Sequence, residues 1–196
     1  SDCLKHIAQI DVLDKDGRLP LHYACEDGDL GAVEILLTHG AKVDVPDRDG
    51  RLPIHYACKH GDSNMVELLV ENGAKFDVPD RGGQLPMHYA CKNYDAGYKM
   101  ILFLCKNGVK MDVLDRDGRL PIHHACERGS LDMVQLLATN GAKLDVPDRG
   151  GQLPLHYASR NRLRGFAMIL FLCNKGVKVN VPDRKERLPI HNACEH

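Results

Sequence analysis

From Pro53 onward, apolar residues fall at Ile54, Ala57 and Cys58, a spacing of three to four that lays them on one side of a short helix. Pro53 itself sits where a first helical residue needs no N–H. After Gly61 a second apolar stripe, Met65, Val66, Leu68, Leu69 and Val70, predicts a second helix. Gly61 and Gly73 each fit a left-handed residue that ends the helix before it. The stretch Lys75–Pro79 reads as extended, because a residue preceding proline is kept out of the α region. Asp80–Gly83 then supplies a turn, and the pattern starts again.

Leu-Pro followed by His two residues later occurs six times, starting at Leu19, Leu52, Leu85, Leu120, Leu153 and Leu188. The intervals are 33, 33, 35, 33 and 35 residues, a regular period that predicts a stacked solenoid. The units starting at Leu85 and Leu153 are two residues longer than the others, share Gly-Gly-Gln before the Leu-Pro, and carry Met-Ile-Leu-Phe-Leu-Cys in the second helix. Leu52 to Leu120, Leu85 to Leu153 and Leu120 to Leu188 are each 68 residues, so the array reads as a duplicated pair of units.

The chain resembles the ankyrin repeat family, whose signature is Asp-x-x-Gly-x-Thr-Pro-Leu-His-x-Ala, a second helix rich in Val and Leu, and Asn-Gly-Ala. Residues 47–57, 80–90, 115–125 and 148–158 carry the match, and it extends over nearly the whole chain. The resemblance implies an all-α solenoid of helix-turn-helix units joined by β-hairpin-like turns. Full units are expected over residues 17–49, 50–82, 83–117, 118–150 and 151–185, with partial ones over 1–16 and 186–196. Residues 1–12 align with a second helix and its extended stretch, and His191–His196 with a first helix lacking its second, as in a piece of a longer array. Leucine replaces the family's threonine before every proline. That forgoes a helix cap worth about 1 kcal/mol, against roughly 1.5–3 kcal/mol from a buried leucine. Burial is expected to compensate.

Charge narrows the partners. Net charge is −1 over 196 residues, so no global field draws in nucleic acid or an anionic membrane. The longest apolar runs, near Met100–Cys105 and Met168–Cys173, are too short to span a bilayer, and no membrane insertion is expected. Eight cysteines invite a disulfide reading, but five of them recur three residues after the repeated histidine, as packing positions would. Stacked helices lie roughly 8–10 Å apart, beyond the roughly 7 Å between Cα atoms that a disulfide tolerates. Cys105 and Cys173 read as core, Cys3 as exposed, and the protein as intracellular, in the cytoplasm.

The pairs His22/Cys25, His55/Cys58, His88/Cys91, His123/Cys126 and His191/Cys194 have a spacing that offers two zinc ligands. Ser159 breaks the pattern after His156, as a packing position permits and a metal site does not. In ankyrin repeats this histidine bonds backbone in the neighbouring turn. No metal or cofactor is expected. Phosphate-loop, dinucleotide-binding, zincin and nucleophile-elbow motifs are absent, and a thiol–imidazole pair in nearly every unit is unlike a singular active site, so no enzyme is expected.

By the resemblance, the expected function is protein binding, as an adaptor or scaffold segment, on a concave face of turn tips and first helices. The tips offer Arg48, Asp49, Arg51, Arg81, Gln84, Arg116, Asp117, Arg119, Arg149, Gln152, Arg184, Lys185, Glu186 and Arg187. The first helices add Tyr23, Tyr56, Lys59, Tyr89, Lys92, His124, Arg128, Tyr157 and Arg160. Tyrosine and arginine are enriched at binding hot spots, and arginine grips carboxylates with two bonds, so an acidic partner fits. Two alternatives stand beside this. The arginines have aspartates close by and neutralise one another in solvent, and the tyrosines are packing residues between helices. An architectural solenoid, self-associating end to end through incomplete units, is the competing function.

Overall fold

The computed structural model describes residues 10–161 and 164–194, without the side chains of 193 and 194. Eleven helices occur among them, and no strand. They alternate between two rows. The inner row holds α1 (Pro20–Asp27), α3 (Pro53–His60), α5 (Pro86–Ala90), α7 (Pro121–Arg128), α9 (Pro154–Arg160) and α11 (Pro189–Cys194). The outer row holds α2 (Leu30–Thr38), α4 (Ser63–Glu71), α6 (Gly97–Lys106), α8 (Leu131–Thr139) and α10 (Gly165–Asn174). Each helix packs on its own partner and on the like helix of the next pair, so the core runs as one strip between the rows. The proposed second helix within residues 1–12, and Cys3, fall largely or wholly outside the described residues.

Every inner helix begins at its proline, behind a leucine in extended conformation. Leu19, Leu52, Leu85, Leu120 and Leu153 are all buried, as the exchange of a cap for apolar contact requires, while Leu188 is half-buried. The cap bond is not simply forfeited. Histidine three residues on accepts the leucine N–H through Nδ1 at 2.9–3.1 Å in all six units.

The outer helices start in two ways. Asp29, Asp62 and Ser130 cap α2, α4 and α8 with a side-chain oxygen. In the longer units Asn93 and Asn161 bridge the helix junction instead. Their Oδ1 accepts from Ala96 N and Arg164 N, and their Nδ2 donates to carbonyls of the preceding unit. Accordingly α6 and α10 run ten residues, against nine in α2, α4 and α8.

Gly73 has φ 87° and ends its helix in the left-handed region as expected. Gly61 does not: it is extended, with φ −80° and ψ −169°. Glycine is needed there for space, because a Cβ would lie 2.8 Å from Ala57 O and 2.9 Å from Met65 Sδ. A second correction concerns Cys105 and Cys173, which are half-buried and not core, since each lies one residue beyond the buried Leu104 or Leu172 and rotates off the apolar face. Cys25, Cys58, Cys91 and Cys126 are buried free thiols, and burial pushes Cys25 up to about 12.

Candidate functional site

The turn aspartates Asp14, Asp47, Asp80, Asp115, Asp148 and Asp183 each stand five residues before a Leu-Pro leucine. Oδ1 accepts the backbone N–H four residues on in every turn, at 2.8–3.0 Å. Oδ2 takes a side chain from the unit's own first helix. Tyr56, Tyr89 and Tyr157 donate to Asp47, Asp80 and Asp148 at 2.6 Å, Tyr23 does the same to Asp14, and His124 Nε2 lies 3.0 Å from Asp115.

The preceding unit reaches the same oxygen. Gln84 Nε2 donates to Asp115 at 3.1 Å and Gln152 Nε2 to Asp183 at 2.9 Å. Arg18, Arg51 and Arg119 bring Nε to 3.8–4.0 Å from Asp47, Asp80 and Asp148. Asp47, Asp80, Asp115 and Asp148 thus each tie a turn, a helix and the neighbouring turn together, while Asp14 joins its turn to the helix and Asp183 its turn to the preceding one. Bonds to a charged group of this kind contribute roughly 1.5–3 kcal/mol each. Although burial alone pushes the Asp115 carboxyl up, bonds from His124, Arg119 N–H and Gln84 hold it well below the usual carboxylate range.

This network corrects the predicted face. Tyr56, Tyr89, His124, Tyr157 and Gln152 are buried and occupied by the aspartates or stacked on neighbouring rings, so the first helices do not present them to a partner. Of these aromatics only Tyr23 is exposed. Arg51, Gln84 and Arg119 are half-buried. Lys92 bonds Gln84 Oε1 at 2.8 Å, and Arg160 rests on the Tyr157 ring. Lys59, Arg128, Asp49 and Asp117 are exposed.

The repeated histidines are also structural. With Nδ1 accepting, Nε2 carries the proton. It faces a carbonyl of the next unit at 3.2–3.3 Å from His22, His55, His88 and His156. In these four both ring nitrogens are engaged within the fold, whereas His123 Nε2 is buried without a hydrogen-bond partner among the described residues. Burial lowers these histidines, bringing His88 and His123 down to about 4, with His124 adding to the effect on both.

What stays at the surface is a column of cations: Arg48, Arg81, Arg116, Arg149 and Arg184, all exposed. A backbone bond sets each one's position, its N–H donating to the preceding tip at Asp16, Asp49, Gly82, Asp117 or Gly150, at 2.7–2.9 Å. Gly118, with φ 77°, shows why glycine stands at these tips, since a Cβ there would meet Arg149 N at 2.9 Å. Arg48 has Asp16 at 4.0 Å, with both side chains largely in solvent. Among the described residues, Arg81, Arg116, Arg149 and Arg184 have no ion pair or side-chain hydrogen bond.

The family profile for ankyrin repeats matches the chain in three copies, over residues 1–80, 44–115 and 87–183. The chain belongs to the ankyrin repeat family. Ankyrin repeats are generally protein–protein interaction modules, typically without enzymatic activity. No curated protein matches the sequence closely enough to add a partner. Among the described residues, no helix is long and apolar enough to cross a membrane. In ankyrin terms, the sequence located the tip arginines but not the turn aspartates that organise them. A signal for these was present: Asp recurs nine residues before each Tyr or His that binds it.

Proposed function

We propose that this ankyrin array is a protein-binding module that receives an acidic segment of its partner along the tip column. The supporting observation is that Arg81, Arg116, Arg149 and Arg184 stand exposed, in register, and without a side-chain partner among the described residues. An aspartate precedes each of them in sequence, but Asp80, Asp115, Asp148 and Asp183 are bonded within their own turns, and the exposed Asp117 beside Arg116 makes no ion pair with it among the described residues. No direct ion pair neutralises the arginine at four of the five positions among the described residues, which supports the reading. Exposed guanidinium groups offer two parallel bonds to a carboxylate, and arginine is enriched at interface hot spots.

The test is a quantitative pull-down from source cells with the native array and with Arg81, Arg116, Arg149 and Arg184 changed together to alanine. These side chains carry no bond of the fold, so circular dichroism should show an intact array. A protein enriched by the first bait and lost with the second supports the reading. Recovery of the same partner by both baits moves the interface elsewhere, and recovery of only the parent chain favours an architectural solenoid.

A further inference from the structure

The last three tips enclose a groove of about 460 Å³ that differs from the rest of the column. Arg119, Arg149, Arg160, Arg184, Lys185 and Arg187 line it. Arg187 is held on Asp183, and Arg119 lies 3.8 Å from both Glu127 and Asp148. Arg119 and Arg160 both lie over the Tyr157 ring, at 4.9 and 5.3 Å, which limits their freedom. Arg149, Arg184 and Lys185 have no side-chain partner among the described residues.

Three acids also line the groove. Asp148 and Asp183 are consumed by bonds to backbone and side chains, leaving Asp117 at the rim. Glu186 belongs to the same tip but stands where earlier tips have glycine. At Gly83, Gly118 and Gly151 a Cβ faces the following tip, so Glu186 points away from this groove.

The duplication supplies a control within the molecule. Sixty-eight residues earlier, the corresponding positions are Arg81, Lys92, Arg116 and Asp117, with Asp49 at the rim. There an acid occupies the place of Lys185, and Asp49 takes up Arg51 at 3.3 Å. One exchange of sign therefore separates a mixed groove from a cationic one. A lone carboxylate is met by a single guanidinium. Three unpaired cations and a stacked fourth around one opening match a group with about two negative charges and three acceptor oxygens.

We infer that this groove is a phosphoryl-binding site, which takes a phosphorylated serine or threonine of the partner segment. The inference rests on the acidic-partner reading and adds a specific subsite to it. Gly150 lacks a side chain at the groove wall, so nothing narrows the approach to the cations there, while its own N–H is given to Asp148 Oδ1 and its carbonyl to Arg184 N.

The experiment uses two fluorescent synthetic peptides of alternating Glu and Gly, identical except that one carries a central phosphoserine. Anisotropy on the native array should show roughly tenfold tighter binding of the phosphorylated peptide. Amide NMR signals of Gly150, Arg184 and Lys185 should move on titration, while Gly82, Arg116 and Asp117 respond far less. Lys185→Asp should remove the phosphate preference and retain binding of the unphosphorylated peptide. Conversely, Asp117→Lys should make the Gly82 and Arg116 signals respond as Gly150 and Arg184 do. Equal binding of both peptides, or a preference untouched by Lys185→Asp, overturns the phosphoryl site and leaves the acidic-partner reading standing. Failure of both peptides to bind the folded native array removes both.

Discussion

Residues 50–117 and 118–185 form two copies of the same pair of units, and they differ in kind between inside and surface. Inside, the turn aspartate, the Leu-Pro, the bonded histidine and the buried methionine of each second helix are repeated. One internal exchange stands out: His124 takes the place of Tyr56 on the aspartate hub, and its ring lies 5.7 Å from His88. At the surface Lys92 becomes Arg160, Asp117 becomes Lys185 and Gly118 becomes Glu186. The frame requires an Oδ2 partner of the right reach, and it accepts either a phenol or an imidazole. The column constrains only the backbone, leaving charge free to change along it.

Acid should have the largest effect, and the His124 exchange should set its size. The buried histidines hold protons less readily folded than unfolded, with His88 and His123 at about 4 against an ordinary value near 6.5. As pH falls below 6.5 the unfolded chain takes up protons first, so stability declines down to the folded values and is greatest above 6.5. Each of these two histidines accounts for at most about 3 kcal/mol of that loss. His88 faces His124, Asp115, Lys92 and the Arg119 carbonyl, while His123 faces Asp148 and His124. Urea midpoints between pH 7 and 4.5 should therefore fall steeply, and His124→Tyr should flatten the slope by removing one titrating ring and its repulsion. A slope unchanged by that substitution would dissociate the hub from the pH response.

Next in size are the phenols. Tyr56→Phe and Tyr157→Phe each strip a 2.6 Å bond from a turn carboxylate, and each should cost about 1.5–3 kcal/mol in denaturant unfolding. The two losses should be nearly equal. A markedly smaller loss at Tyr157 would show that Arg119 and Arg160 on its ring hold the helix without the hydroxyl.

Gly97→Ala and Gly165→Ala probe the junctions of the longer units. A Cβ at either runs into a carbonyl of the first helix, Ala90 O or Ala158 O, and overpacking of this kind costs about 1–3 kcal/mol. At Gly97 it also meets Met133 Cε at 2.6 Å, whereas Gly165 has Asn161 Cβ at 3.8 Å, so the loss at 97 should be larger. Thermal melts that rank them the other way would mean Met133 moves aside.

The smallest effect is expected at Glu186, a left-handed residue with φ 59° where the first copy has Gly118. Glu186→Gly should stabilise the array by about 1 kcal/mol, readable as a small rise in melting temperature.

Helix pairs, their starts and the tip turns were legible because each follows from residues within one unit, such as Pro53 and the Met65–Leu69 stripe. What one unit cannot reveal is its neighbour. Tyr56 looks like an exposed amphipathic residue in its own helix, and is 2 % exposed only because Arg18 and His22 of the previous unit lie against it. Gly61 misled for a different reason: glycine is demanded there by space, against the Ala57 carbonyl and Met65 Sδ of its own unit, and not by a left-handed backbone. At the tips, Arg48 and Arg51 share composition and differ in direction, which a linear pattern does not encode.

One bond per interface, the arginine N–H to the preceding tip's carbonyl, also makes the column a ruler. Its marks are fixed by a link of nearly constant length, and the histidine Nε2 bonds to the next unit repeat behind them at a nearly constant length too. An acidic segment that meets several arginines at once must therefore carry its charges at the spacing of these marks.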